Sequence, residues 1–485
     1  MGLRTANDYV AGLRDDRAVY YRGEKVADVT KHPELGIAVK HASTDFAVAH
    51  NPAHRALAVA RDGESEFSAY FKLPRTAEDL TLRSRLIELS TAEGGTLVVL
   101  IKEIGSDALF ALRRVLGRSH AAEGMERLEN FHELCRASDL ALAVAQTDVK
   151  GDRSLPPSRQ PDPDMYLRVV REDSRGIIVR GAKAHTSCSP YVDWLLVLPS
   201  RSLRAEDEEW ALAFATPVAT PGLTLYASDF LHGADGGFSA PVSSRHRMIE
   251  TLTVFDDVFI PWERVFVYRR PELAGALALT FVEYHRFTAV SYKLPLLDAL
   301  VGVAILAAEA NGISAAHHVR EKLTWLIGYA EEVRGLTDLA AIRCEYEAGL
   351  AYPHVLTTNL AKWVFARDFH KALHIVQDLA GGLIVTGPSA ADWESSEIRP
   401  VLEKYLKGAW PADRRLAVLN LVSDLTAGPY GGYQAALAVH AEGSLEAEKL
   451  TIHRAYDATR ATALASRLAG LAQGDRTPQS EPGPT

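Results

Sequence analysis

The chain has 485 residues, 47% apolar and 24% charged, the balance of a folded globular protein too long for one hydrophobic core. A formal net charge of −9, with no stripe of clustered Lys and Arg, argues against a nucleic-acid partner. Three scattered cysteines, Cys135, Cys188 and Cys344, form neither a disulfide framework nor a CxxC zinc pattern.

The first residues, MGLRTANDYVAGLRDD, carry charges every few positions and no apolar signal segment, so a cytoplasmic protein is expected. Residues 1–145 read as a mostly helical N-terminal domain, with apolar residues at helical spacing over 77–97 and 123–142. The period then falls from 3.6 to 2. Short β-rich runs at 166–170, 176–180, 194–198, 210–214, 223–226 and 252–255 are separated by turn residues. They predict a small antiparallel barrel or sandwich over 146–270.

From Pro271 the helical period returns, over 273–310, 315–334, 336–351, 354–383 and 413–427, and predicts an up-down bundle reaching residue 472. The longest apolar stretch, 274–282 with its continuation, is interrupted by Glu283, His285 and Arg286, so no membrane span is expected. The Pro- and Gly-rich tail, 473–485, is expected to be disordered. The fold class is thus mainly α with a central β-domain, and a junction between such units is where a cofactor cleft forms.

Several segments carry groups able to do chemistry. The loop Gln146-Thr147-Asp148-Val149-Lys150-Gly151-Asp152-Arg153 offers backbone and side-chain donors to a bound cofactor, or is a solvated interdomain turn. The turn after residue 180 gathers Lys183, His185, Thr186 and Ser187, either lining a site or forming a surface turn. Glu250 stands just before a strand, where a lone carboxylate is usually solvated. His285, Thr288 and Tyr292 share one helix face, with Lys293 beside Tyr292. That places His285 as a candidate base tuned by Tyr292 and Lys293, or as a core histidine. Gly381-Gly382 interrupts a strong helical pattern, through close backbone approach to a ligand or second subunit, or as a helix C-cap.

Five ordered segments carry a resemblance: DYVAGLRDDRAVYYRGEKVADVTKHP, AQTDVKGDR, IVRGAKAHTSCSPYVDWLLVLPSR, FDDVFIPWERVF and QDLAGGLIVTGPSAAD. They resemble the 4-hydroxyphenylacetate 3-hydroxylase family, whose superfamily includes 4-hydroxybutyryl-CoA dehydratase. The likeness runs over about residues 4–452. It implies an acyl-CoA-dehydrogenase-like fold of N-terminal helices, middle β-barrel and C-terminal bundle. It also implies FAD and a homotetramer in which one subunit's bundle completes its neighbour's flavin site.

By that resemblance, Gln146, Thr147, Lys150, Gly151, Asp152 and Arg153 contact the flavin, Ser187 lies beside its reactive nitrogen, and Gly381 and Gly382 reach a flavin across the interface. The hydroxylases' Arg-x-x-Asp-Tyr-type segment corresponds here to the stretch 104–108, which includes Asp107, and their downstream His to Val144. The motif wording is closer to the dehydratase branch, whose iron–sulfur cluster is held by three Cys and one His. His285 matches that His, and Glu250 and Lys293 match active-site positions. Tyr292 stands where the third Cys would be, so no cluster is expected.

The resemblance therefore implies a two-component monooxygenase that hydroxylates a small aromatic or heteroaromatic substrate through a flavin C4a-(hydro)peroxide. A separate NAD(P)H:flavin reductase would supply reduced FAD, as no Rossmann GxGxxG occurs in the chain. Ser187, His285 and Tyr292 are its expected catalytic residues, with Glu250, Lys293 and His185 at the substrate. The alternative is a cluster-free flavin-dependent dehydratase or isomerase.

Overall fold

The computed structural model describes residues 2–229 and 236–471, so the tail 473–485 lies outside the described residues. Helices dominate both ends of the chain, with mixed sheets between them. In the N-terminal part, helix Ala77–Glu93 begins at Thr76, whose side chain accepts from the Asp79 backbone in a capping box. Helix Ala122–Ser138 follows, and between the two lies Glu103–Arg118, buried on nearly every side. Its polar side chains, Glu103, Asp107 and Arg114 among them, are buried along with its apolar ones.

The β-rich region holds two sheets rather than one closed ring. The six-stranded sheet recruits Ala18–Tyr21, which runs parallel to Leu223–Ala227. The four-stranded sheet is entered by Leu142–Ala145, parallel to Trp194–Val197. These two parallel pairings replace the all-antiparallel layout expected from the local alternation. Strands Gly176–Lys183 and Thr251–Pro261 pair antiparallel, with a register shift between Phe255 and Val258. Their ends carry the candidate turn and Glu250.

The bundle is built on helix Pro271–Ala310, packed against Glu103–Arg118, His317–Ile342 and Val355–Ala380. Contrary to the sequence expectation, this helix is long and apolar enough to cross a membrane by length and composition. In its most apolar window 61% is buried inside the protein, as the central rod of a bundle requires. Arg114 ties it to its neighbours through ion pairs to Glu283 at 2.6 Å and Glu347 at 2.7 Å.

A second correction falls on 336–351. The preceding helix runs on to Ile342, and a hairpin of Glu345–Glu347 and Leu350–Tyr352 follows. Ala348 and Gly349 both take left-handed backbone, the signature of a tight two-residue turn. The bundle is joined to the sheets by Asp424, whose carboxylate accepts from the backbone N–H of Val242 and Ser243 and from the Ser243 hydroxyl.

Candidate active site

Lys183 organises one wall of the site. It is buried at the end of its strand, and its ammonium donates to the Gln146 carbonyl at 3.0 Å and the Leu198 carbonyl at 3.0 Å. It also pairs with Asp148 at 2.6 Å. A buried ammonium needs such partners, so the loop of Gln146 is fixed against the turn of Ser187. The Ala184 N–H to the Thr147 carbonyl, 2.9 Å, closes the same junction.

Beyond this staple the loop opens to solvent. Lys150, Gly151, Asp152 and Arg153 are exposed. Gly151 has φ +52, and a Cβ there would lie 2.6 Å from Gln160 Oε1, so a glycine suits both the turn and the space. Asp152 is spent locally: it accepts from the Ser154 N–H and hydroxyl, which hold its carboxyl below the ordinary range. Gln146 donates weakly to the Pro199 carbonyl at 3.4 Å. The Thr147 hydroxyl and the Arg153 guanidinium take no protein partner among the described residues, so both are available to an anionic or carbonyl-bearing ligand.

Ser187 and Glu250 meet. The serine hydroxyl lies 3.0 and 2.8 Å from the two carboxylate oxygens, and the Tyr433 hydroxyl donates to Oε1 at 3.3 Å. Burial raises the Glu250 carboxyl above its ordinary range, against the pull of Ser187 and Tyr433. Glu250 is thus not the solvated carboxylate that its position before a strand suggests. His185 is exposed on the same turn with φ +53, and no hydrogen bond holds its ring among the described residues.

His285 takes a partner from outside its own helix. Its Nδ1 lies 3.3 Å from Asp107 Oδ2, and Phe281 stacks on the ring at 5.2 Å. Asp107 is fully buried, and its Oδ1 accepts from Arg83 at 2.7 Å and from the Thr288 hydroxyl at 3.0 Å. Thr288 therefore shares the His285 face, as the spacing predicts.

Tyr292 and Lys293 do not. Both turn to Glu442, the tyrosine by a short hydrogen bond and the lysine by an ion pair at 2.9 Å. The expected contact of these two side chains with His285 is corrected: the group that meets its ring is Asp107. Seven residues along a helix separate the groups by about 10 Å of rise, and Glu442, with only 3% of its side chain exposed, satisfies Tyr292 and Lys293 first. Burial lowers the Lys293 ammonium well below its ordinary range and raises the Glu442 carboxyl.

Gly381 ends helix Val355–Ala380 with φ +80, and its N–H donates to the Gln377 carbonyl at 2.9 Å. Nothing lies within 4 Å of a Cβ built at Gly381 or Gly382, so in one subunit the pair acts as a C-cap facing solvent. Cys135 and Cys188 are buried, and the Cys344 thiol donates to the Tyr346 hydroxyl at 3.5 Å. Among the described residues no group of three or more His, Cys, Asp or Glu is arranged to hold a metal ion.

Sequence reasoning missed the partners of the candidate residues. Asp107 precedes the apolar run Ala108–Phe110–Leu112, and a lone carboxylate beside such a run is a usable signal of a buried charge. Glu442 had none, since it follows a helix in a polar loop and becomes buried through Tyr292, Lys293 and Lys362, all on other elements far along the chain.

Comparison with known proteins covers almost the whole chain. Residues 5–267 match the family model described as 4-hydroxyphenylacetate 3-hydroxylase N terminal, and residues 274–470 match its C-terminal counterpart. The 4-hydroxyphenylacetate 3-monooxygenase oxygenase component of Thermus thermophilus is 32% identical over 436 residues, 89% of this chain and 90% of that protein. An oxygenase component of the same name, solved with FAD and 4-hydroxyphenylacetate, superposes with a TM-score of 0.89 at 29% identity, covering 96% of this chain and 98% of that one. The archaeal 4-hydroxybutyryl-CoA dehydratase of N. maritimus superposes with a TM-score of 0.91 at 27% identity, covering 99% of this chain and 97% of that one. With both family models matched in order over almost its whole length, the chain belongs to the 4-hydroxyphenylacetate 3-hydroxylase family.

Proposed function

We propose that the chain is the oxygenase component of a two-component, FADH2-dependent monooxygenase hydroxylating a small aromatic or heteroaromatic substrate. The observation that carries this reading is the Lys183 staple, because it sets the open donor loop of Thr147, Lys150 and Arg153 against the turn of Ser187. Arg153 and Lys150 suit the pyrophosphate, Gly151 lets the backbone approach it, and Gln146 and Thr147 suit the ring's polar edge. Reduced FAD, delivered by a separate flavin reductase, supplies the electrons that activate oxygen when bound. Arg153→Ala is expected to weaken FAD binding by about 1.5–3 kcal/mol, roughly ten- to a hundredfold, through loss of a charge-assisted hydrogen bond. Flavin titration checks this, and an unchanged affinity would remove the loop from the cofactor site.

The remaining roles belong to side chains. Ser187, held by Glu250, presents its hydroxyl beside the ring. His285 accepts a proton from the substrate's hydroxyl, and its carboxylate partner stabilises the charge so formed. Glu250 and the exposed His185 border the substrate. Tyr292 and Lys293, tied to Glu442, shape the site from behind. Gly381 and Gly382 face outward, where a second subunit of a homotetramer would meet them.

A second reading, a cluster-free dehydratase or isomerase of an acyl thioester, is favoured by the superposition on the dehydratase. Oxygen separates the two. With photoreduced FAD and 4-hydroxyphenylacetate or 4-nitrophenol, the proposal expects oxygen uptake stoichiometric with a hydroxylated product. Uptake no faster than free reduced FAD alone, together with anaerobic conversion of a 4-hydroxyacyl-CoA, would establish the second reading instead.

A further inference from the structure

We propose that Asp107 is the positioning residue of the His285 base, fixing the imidazole in the tautomer whose Nε2 accepts the substrate proton. The inference rests on the base reading of His285 and goes beyond it by naming what selects the basic atom. Asp107 is fully buried, and its two oxygens have different tasks. Oδ1 is taken by the Arg83 guanidinium at 2.7 Å and the Thr288 hydroxyl at 3.0 Å. Oδ2 faces His285 Nδ1 at 3.3 Å.

An ionised carboxylate only accepts hydrogen bonds. Nδ1 must therefore carry the proton, and in the neutral ring the free lone pair falls on Nε2. Among the described residues Nε2 makes no protein hydrogen bond, and the side chain keeps 13% exposure. The ring plane is fixed from one side by Phe281, stacked at 15°.

Arg83 holds the carboxylate itself in place. One of its nitrogens also donates to the Glu103 carbonyl at 2.9 Å and the Ser106 hydroxyl at 2.8 Å, and the other to the Tyr70 carbonyl at 3.2 Å. The guanidinium is anchored to the backbone of two elements and cannot follow the imidazole. Arg83 thus supplies the counter-charge that a buried carboxylate needs, while Oδ2 is left to His285. The arrangement is a carboxylate–imidazole pair on two helices, 178 residues apart in sequence. Its proton moves from the substrate hydroxyl to Nε2 and returns by the same atom, while Nδ1–H stays with Asp107.

Hydrogen–deuterium exchange at the imidazole C2 position, read by peptide mass spectrometry across pH on the full chain, tests the pair without a substrate. Asp107→Asn keeps an oxygen for Nδ1–H but removes the charge, and is expected to move the exchange midpoint of His285 down by about one pH unit or more. Thr288→Val, which touches only Oδ1, should leave it within a few tenths. An unmoved midpoint in Asp107→Asn overturns the proposal. Should that variant not fold, Arg83→Gln reads the same coupling with opposite sign, an upward shift, and no shift there is equally fatal.

In active preparations the Asp107→Asn, His285→Gln double variant should turn over no slower than His285→Gln alone, since one acts through the other. Additive losses would make Asp107 merely structural. The exchange readout is independent of turnover, so an error in the reaction assigned to the site leaves it standing and is distinguishable from an error about Asp107.

Discussion

His285→Gln is expected to lower turnover by about 10²–10⁴-fold, the usual contribution of one general acid–base side chain. Flavin affinity and thermal stability should stay near those of the wild type. The glutamine fills similar space, and the side chain it replaces makes one polar contact, to Asp107. Oxygen uptake with reduced FAD should persist, with the electrons released as hydrogen peroxide instead of product. A peroxide assay beside product analysis checks this, and wild-type product yield would reduce His285 to a packed histidine. A variant that loses FAD would point instead to a role in shaping the flavin cleft.

Acid sensitivity is the second large effect, and it arises away from the site. His41 and His132 are buried, and burial lowers both imidazoles to about 4. Each Nε2 faces a backbone carbonyl, Val98 at 3.0 Å and Phe71 at 2.8 Å, so each ring is held neutral with Nε2 as donor. His41 also meets His246, Nδ1 to Nδ1 at 3.2 Å, where a proton on both rings would repel. In the unfolded chain these groups take up a proton near pH 6.5, while in the fold they resist it. The unfolded state then binds more protons, and stability falls as pH drops from about 6.5 through about 4. Each histidine should lose about 2–3 kcal/mol by pH 4.5. Urea titrations at pH 7 and 4.5 read the effect. His132→Gln, which keeps a donor for Phe71, should remove about the 2–3 kcal/mol assigned to that ring, and a flat stability across this window would refute the assignment.

Local pattern carried most of the fold. The helices at 77–93 and 122–138 and the strands from 176 to 227 lie within a few residues of their expected bounds, because turn residues or caps bound them. The failures share a cause. The hairpin at 345–352 contains apolar residues at a spacing that also suits a helix, and only the left-handed turn at Ala348 and Gly349 decides between them. Ala18–Tyr21 and Leu142–Ala145 are too short to stand out, and they become strands through partners far along the chain.

The same division holds at the candidate site. Ser187, Glu250 and the loop of Gln146 were legible as clusters of polar residues at element ends. The partners Asp107, Arg83 and Glu442 were not, since a contact between separate elements, from 24 positions apart for Arg83 and Asp107 to 178 for Asp107 and His285, leaves no trace in local spacing. Arg83 illustrates the point: on its own helix it reads as one more surface charge, yet it is 7% exposed and holds four protein oxygens.

The parallel pairing of Ala18–Tyr21 with Leu223–Ala227 limits how members of such a family can be recombined. A chimera exchanging only the middle of the chain would join foreign strands to a native neighbour, with mismatched side chains at Tyr20 against Tyr226. Deleting the first 25 residues would bare Leu223–Ala227 as an unprotected sheet edge, a template for intermolecular pairing. Exchange of modules should therefore carry residues 18–25 with the sheet, and trimming of the N-terminus should yield aggregates before it yields a smaller enzyme.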